Sequence, residues 1–424
     1  MRTGCPLALA LSALAALSLP AAQPKSDEAA NALEVFERLL DQRAANAGEV
    51  LRQYAAIEAA GRFDAGGRAR LHAGLVAALG KIDDTSLAYT AETVLNGWGN
   101  SQWPAKVVVL KAMLGPKFPM AREKRVAHLA AMARGSHFRL SIWGLRLLGD
   151  SRWPEAVDAM IELLKAEEAK ARGSSVILTI IGAELYRILG VEAPQGSTSA
   201  LIEHNWKKLG RKLPDKVDYS LPSDSGPTVS FFGDLISPRA VFLIDISSSM
   251  RQETTLAARA SRRSAPAGDA GERREQKVAI VKRELGRCLG QLQSWYKFNL
   301  AGYHAKVLPW RRNLALQSAG SSNIDSARQY AQDLEVSQGT NIFESVKLAL
   351  PVDELDTIYL LSDGVPSVGG NPAQIEQMVR DINYLVGARI VTYGFAGEDR
   401  GSYDEAFMQR LARENWGWYR RLNK

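Results

Sequence analysis

Beyond Pro238 the chain alternates two kinds of segment, and this limits its fold more than any other feature. AVFLIDI (240–246), LDTIYLLSD (355–363) and ARIVTYGF (388–395) are short and mostly apolar. A run without a polar face is a strand buried on both sides, the situation of parallel strands covered by helices above and below. Between them EQKVAIVKRELGRCLGQLQSW (275–295), NIDSARQYAQDL (323–334), NIFESVKLALP (341–351), AQIEQMVRDINYLV (373–386) and SYDEAFMQRLAREN (402–415) space apolar residues as helices do. FNLAGYHAKVLPW (298–310) reads as two short strands around a turn. The predicted fold class of this half is α/β, a doubly wound, mostly parallel sheet. Ligands of such sheets bind beyond the carboxyl ends of the strands.

Two strands end there in a carboxylate. In VFLIDISSSM (241–250) Asp245 closes the run, and Ser247 and Ser249 follow on alternate positions. LLSDG ends in the same way with Asp363, and SQGTNIFESV (337–346) sets Thr340 in a loop before a helix. Either aspartate by itself suits a turn or a helix cap. Two carboxylates and three hydroxyls meeting at one sheet edge suit a hard divalent cation: magnesium first, with manganese or calcium as alternatives. So few protein oxygens leave coordination positions for water or an incoming carboxylate.

These separated elements resemble the von Willebrand factor type A fold and its metal-ion-dependent adhesion site, whose pattern is Asp-x-Ser-x-Ser, a distant Thr and a later Asp. Asp245, Ser247, Ser249, Thr340 and Asp363 match it in order. The resemblance covers about 239–424 and implies metal ligation by these five residues, directly or through water, with a partner's Asp or Glu filling the open position. Ser248 stands where many relatives have glycine. A second departure is the polar stretch 251–276, rich in Arg, Ala and Ser, whose composition predicts a disordered insertion beside the proposed metal.

The first half is built differently. Helix follows helix from about Ala30 to Gly190. GNSQWPAKVVVL (99–110) and GDSRWPEAVDAM (149–160) coincide at an offset of 50 residues. The pattern predicts a glycine closing one helix, Asn100 or Asp150 turning the chain, and Pro104 or Pro154 opening the next helix. Residues 137–166 resemble a HEAT-type repeat, which implies an all-α helical-repeat domain over 30–200 with a surface for a second partner. Residues 201–238 read as a linker to the type A domain at 239–424, with Pro, Ser, Gly and Asp accumulating over 212–238.

Residues 1–23 have a positive start, an apolar run too short to span a bilayer, and small residues before a polar stretch, the layout of a signal peptide. The expectation is an exported protein, periplasmic, cell-surface or extracellular, with no transmembrane segment. Cys288, spaced with apolar neighbours, is expected in the core. A net charge of +7 over 424 residues is too dilute to point to nucleic acid. HExxH, GxSxG and phosphate-loop motifs are missing, and the five histidines lack ligand spacing. The expected function is therefore an interaction or adhesion module that binds an acidic partner group through a divalent cation, not an enzyme. The alternative is a metal-assisted hydrolase using the same cation.

Overall fold

The computed structural model describes residues 26–171, 176–190, 198–217, 237–255, 274–395 and 404–422. The signal-peptide reading of 1–23, the linker from 218 to 236 and the middle of the polar insertion, 256–273, lie outside these residues. The chain divides into two compact units, Met1–Ser151 with Arg380–Leu385, and Arg152–Val379 with Val386–Lys424.

The first unit is helical. It contains α1 (Ser26–Gln42), α2 (Ala47–Ala60), α3 (Ala65–Gly80), α4 (Thr85–Gly97), α5 (Trp103–Ala112), α6 (Arg122–Arg134) and α7 (Phe138–Ser151). Asp64 and Asp84 cap α3 and α4, their side chains accepting from the amides of Gly67 and Ser86. Helix α5 is apolar nearly all round, and Val107, Val108, Val109 and Leu110 are all buried, as suits a central helix. The two matching stretches agree in structure at their prolines and differ at their turns. Pro104 lies in the first turn of α5, and Pro154 opens α8 (Pro154–Ala171). Asp150 does not turn the chain as expected. Helix α7 runs on through Ser151, and Arg152 makes the break with φ of 51°, a left-handed conformation.

A polar cluster is buried inside this unit. The Tyr54 hydroxyl lies 2.7 Å from His72 Nδ1, and Lys111 Nζ lies 3.0 Å from His72 Nε2. Lys111 also donates to the Tyr384 carbonyl at 2.6 Å and sits 3.8 Å from the centre of the Trp143 ring. Burial pushes the Lys111 ammonium down to about 7 and, with Lys111 beside it, pushes the His72 imidazole well down too.

The second unit carries a mostly parallel sheet ordered β5-β4-β1-β7-β8-β9, with β6 paired to β4. The strands are β1 (Arg239–Asp245), β4 (Lys297–Tyr303), β5 (Val307–Pro309), β6 (Gln317–Ser318), β7 (Thr357–Ser362), β8 (Arg389–Gly394) and β9 (Tyr419–Arg421). A separate ribbon pairs β2 (Glu253–Thr254) with β3 (Glu275–Gln276) antiparallel, at the two ends of the polar insertion. The helices between strands are α11 (Lys277–Gln291), α12 (Ser321–Asp333), α13 (Ile342–Ala349), α14 (Pro372–Val386), whose segment Arg380–Leu385 groups with the first unit, and α15 (Glu405–Glu414). Ala240, Phe242 and Ile244 share one core with Val281, Leu285 and Cys288 of α11 and Ala327 of α12. Val241 and Leu243, on the opposite face of β1, are buried as well. This is why the strand is apolar at every position. Cys288 is a buried free thiol, as expected.

Helices α8, α9 (Val176–Leu189) and α10 (Thr198–Lys208) group with the sheet, not with α1–α7. Buried contacts join them to it. Arg389 at the start of β8 donates to Glu184 of α9, both side chains being almost fully enclosed. Tyr186 meets Trp418 edge-on at 5.2 Å. Residues 201–208, expected in a linker, are the body of α10. There Ile202 and Trp206, one turn apart, are buried, and the indole of Trp206 donates to Asp158 at 3.0 Å.

Candidate metal centre

Strands β1 and β7 are hydrogen-bonded neighbours, with Ile244 beside Leu361. Parallel register therefore delivers Asp245, the last residue of β1, and Asp363, just past β7, to the same edge. Asp245 is fully buried and both its oxygens accept: Oδ1 from the Ser247 amide at 2.8 Å, Oδ2 from the Ser362 hydroxyl at 2.7 Å. Asp363 Oδ1 accepts from the Ser249 hydroxyl at 2.6 Å, and Ser247 Oγ lies 3.5 Å away. The two serine hydroxyls are 2.9 Å apart. Their alternation serves this geometry, since the chain tightens into a short 3-10 turn from Ser248 to Arg251 after an extended Ser247.

Thr340 reaches the same edge through its backbone. Its amide donates to the Ser367 hydroxyl at 2.9 Å, and its carbonyl accepts from the amides of Ser367 and Val368. The loop is strapped on its other side by Ser337 N to Ile246 O at 2.9 Å and Asn341 N to His304 O at 2.9 Å. Gly339 takes φ of 86°, and a Cβ there would meet the Cβ of Ala305 at 2.9 Å, so only glycine fits. Asn341 then caps α13, accepting from the Glu344 amide. Four of the five predicted residues are thus linked by hydrogen bonds, and the fifth is tied into the Ser367 loop that follows Asp363.

Sequence reasoning missed Lys277, its partner Gln252, and Ser362. Lys277 Nζ donates to Asp363 Oδ2 at 2.8 Å and to Gln252 Oε1 at 2.9 Å. Ser362 holds the second oxygen of Asp245. Lys277 stands beside the arginine-rich insertion, so among its neighbours it reads as one more surface charge. Ser362 sits directly before Asp363, and its place inside the strand was the one available signal.

The charge balance is uneven. Two buried carboxylates face one ammonium, so one negative charge is left over among largely buried groups. Burial, and then repulsion from Asp363, raises the Asp245 carboxyl to about 7 against the hydrogen bonds from Ser247 and Ser362. The Tyr303 phenol, buried beside Asp245, is pushed well up for the same reasons. Among the described residues no three His, Cys, Asp or Glu side chains gather as a metal site. The donors here are two carboxylates and hydroxyls, all hard oxygen, with a negative charge to spare. That set fits a hard divalent cation and offers nothing to a soft one.

No family model matches the chain. The inter-alpha-trypsin inhibitor heavy chain H4 of Sus scrofa is 31% identical over 166 residues, which cover 36% of this chain and 17% of that protein. The heavy chain H4 of Homo sapiens is 30% identical over 162 residues, 35% of this chain and 17% of that one. The von Willebrand factor A domain-containing protein 3B of Homo sapiens is 28% identical over 99 residues, 23% of this chain and 8% of that protein. This chain contains a von Willebrand factor type A domain. The matches span only a small part of each relative. Among solved structures, a von Willebrand factor type A protein from Catenulispora acidiphila is 17% identical, with a TM-score of 0.32 over 44% of this chain and 38% of that one. The manganese-loaded TRAP protein of Plasmodium vivax is 14% identical, with a TM-score of 0.28 over 43% and 67%. The type A domain here is preceded by an all-helical region.

Proposed function

We propose that the type A domain holds a divalent cation, magnesium before manganese or calcium, among Asp245, Ser247, Ser249, Thr340 and Asp363. The cation receives an Asp or Glu of a protein partner, so the domain works as an interaction or adhesion module and not as an enzyme. The observation that carries this reading is the meeting of two buried carboxylates and two serines at the carboxyl edge of β1 and β7. A bound cation would supply Lewis acidity toward the partner's carboxylate. The chain's own groups orient the ligands, through Ser362 on Asp245 and the Ser367 loop on Thr340.

The rim supports an acidic partner. Arg251 and Lys306 are exposed beside the Ser249 turn and the Gln338 loop. The helical unit α1–α7, the part of the expected 30–200 array that stands apart from the sheet, offers a second binding surface. Among the described residues no helix is long and apolar enough to cross a membrane. We read the protein as exported, with 1–23 removed, which an intact mass of the mature protein checks.

The test is retention of an envelope partner on immobilised protein with magnesium, with EDTA, and on Asp245→Ala. Binding that disappears in the last two while circular dichroism is unchanged supports the proposal. Retention that ignores both EDTA and the substitution contradicts it.

A further inference from the structure

Lys277 takes no part in the proposed coordination, yet it is built into the centre. Its side chain is 4% exposed and that of Asp363 is 0% exposed. The ammonium is shared between Asp363 Oδ2 and Gln252 Oε1, and the Lys277 amide donates to the Gln252 carbonyl at 3.0 Å. Three hydrogen bonds therefore fix this residue at the first position of α11. The pairing divides the Asp363 carboxylate. Oδ2 is taken by the lysine, while Oδ1 faces Ser249 and Ser247, where the proposed cation would lie.

We infer that Lys277 is a resident counter-charge of the metal centre: it holds Asp363 in its metal-binding orientation beforehand and weakens cation binding by like-charge repulsion. The inference rests on the metal reading above. A buried carboxylate needs a positive partner, and the lysine supplies one before any cation arrives. When a dication enters, the two charges compete for one carboxylate in a water-poor site. The filled cluster of dication, ammonium and two carboxylates keeps one net positive charge, which attracts a partner's carboxylate. Without the ammonium the same cluster is neutral.

The test uses manganese ion alone as the probe, on full-length protein, with calorimetric affinity and thermal unfolding in EDTA as the two readouts. Lys277→Met is expected to bind manganese about tenfold more tightly than the wild type, and Lys277→Arg to stay within about threefold of it. In EDTA the midpoint of Lys277→Met falls, and manganese restores it. A simple packing defect would weaken the metal, so tighter binding is the signature. Unchanged or weaker binding by Lys277→Met, with the wild type still binding, overturns the inference and leaves the metal reading intact. Should Lys277→Met fold at no manganese concentration while Lys277→Arg folds, the ammonium is required whatever the cation does, and the inference is overturned. If neither wild type nor variants take up manganese, the metal reading fails and the inference falls with it. That outcome is recognised by a lowered EDTA midpoint that manganese does not repair.

Discussion

Each unit encloses a lysine ammonium, that of Lys277 and that of Lys111, and the two are handled in opposite ways. Lys277 is set against a carboxylate, Asp363, and an amide oxygen. Lys111 is hydrogen-bonded to neutral acceptors, His72 Nε2 and the Tyr384 carbonyl, over the face of Trp143. In the sheet unit the excess charge is negative and falls on Asp245, whose carboxyl rises to about 7. In the helical unit the strain of burial falls on the lysine, which drops to about 7. An enclosed charge is stabilised by an opposite charge set against it, and the proton equilibrium shifts where burial outweighs that help, as it does for Lys111 despite the attraction of Asp150. The sheet edge is thus short of positive charge, while the helical cluster has no use for more of it.

The largest effect is expected where a buried carboxylate is taken from its guanidinium partners. Glu184→Ala removes the buried carboxylate shared by Arg389 and Arg187 and is expected to cost about 3–5 kcal/mol in urea unfolding of the sheet unit. A loss under half that would mean the carboxylate matters less than its burial suggests.

The next test concerns Asp245 without metal. Its carboxyl is raised in the fold, so between about pH 4 and 7 the native state binds the extra proton. Stability from this group is therefore greatest at the acid end and falls as pH rises toward 7. Asp245→Asn should remove that slope in EDTA, and a slope kept by the variant would refute the assignment.

Lys111 runs the other way. Its folded value lies below that of the unfolded chain, so the unfolded state holds more protons from about pH 7 to 10. Stability from this group climbs across that window. Thermal midpoints of Lys111→Met should gain on the wild type most at pH 6 and least at pH 9. A constant difference would show that hydrogen bonding, not charge, dominates at this site.

The smallest effect belongs to an exposed pair. Arg38→Ala breaks the bridge to Glu34, which lies open to solvent on α1. No measurable change in thermal midpoint is expected.

Much of the sheet unit is readable along the chain because burial on both faces leaves a mark at every residue. AVFLIDI, LLSD and ARIVTYGF could hardly be anything but central strands, and Asp245 and Asp363 stand out as polar residues ending apolar runs. Long-range charge pairing leaves no such mark. Lys277 finds Asp363 and Arg389 finds Glu184 across 86 and 205 residues, through contacts that only the folded sheet creates. The same cause hid the allegiance of α8–α10: their apolar spacing announces helices but not what they pack against. Asp150 misled for a local reason. A Gly-Asp pair usually ends a helix, yet here Arg152 takes the left-handed turn two residues later.

In the proposed centre the oxygens gathered around Asp245 and Asp363 form a cation site. Titration calorimetry of manganese into EDTA-stripped, dialysed protein tests it directly. One ion per chain, with binding abolished in Asp363→Asn, is the predicted result; no heat of binding at millimolar manganese in folded wild-type protein would contradict it.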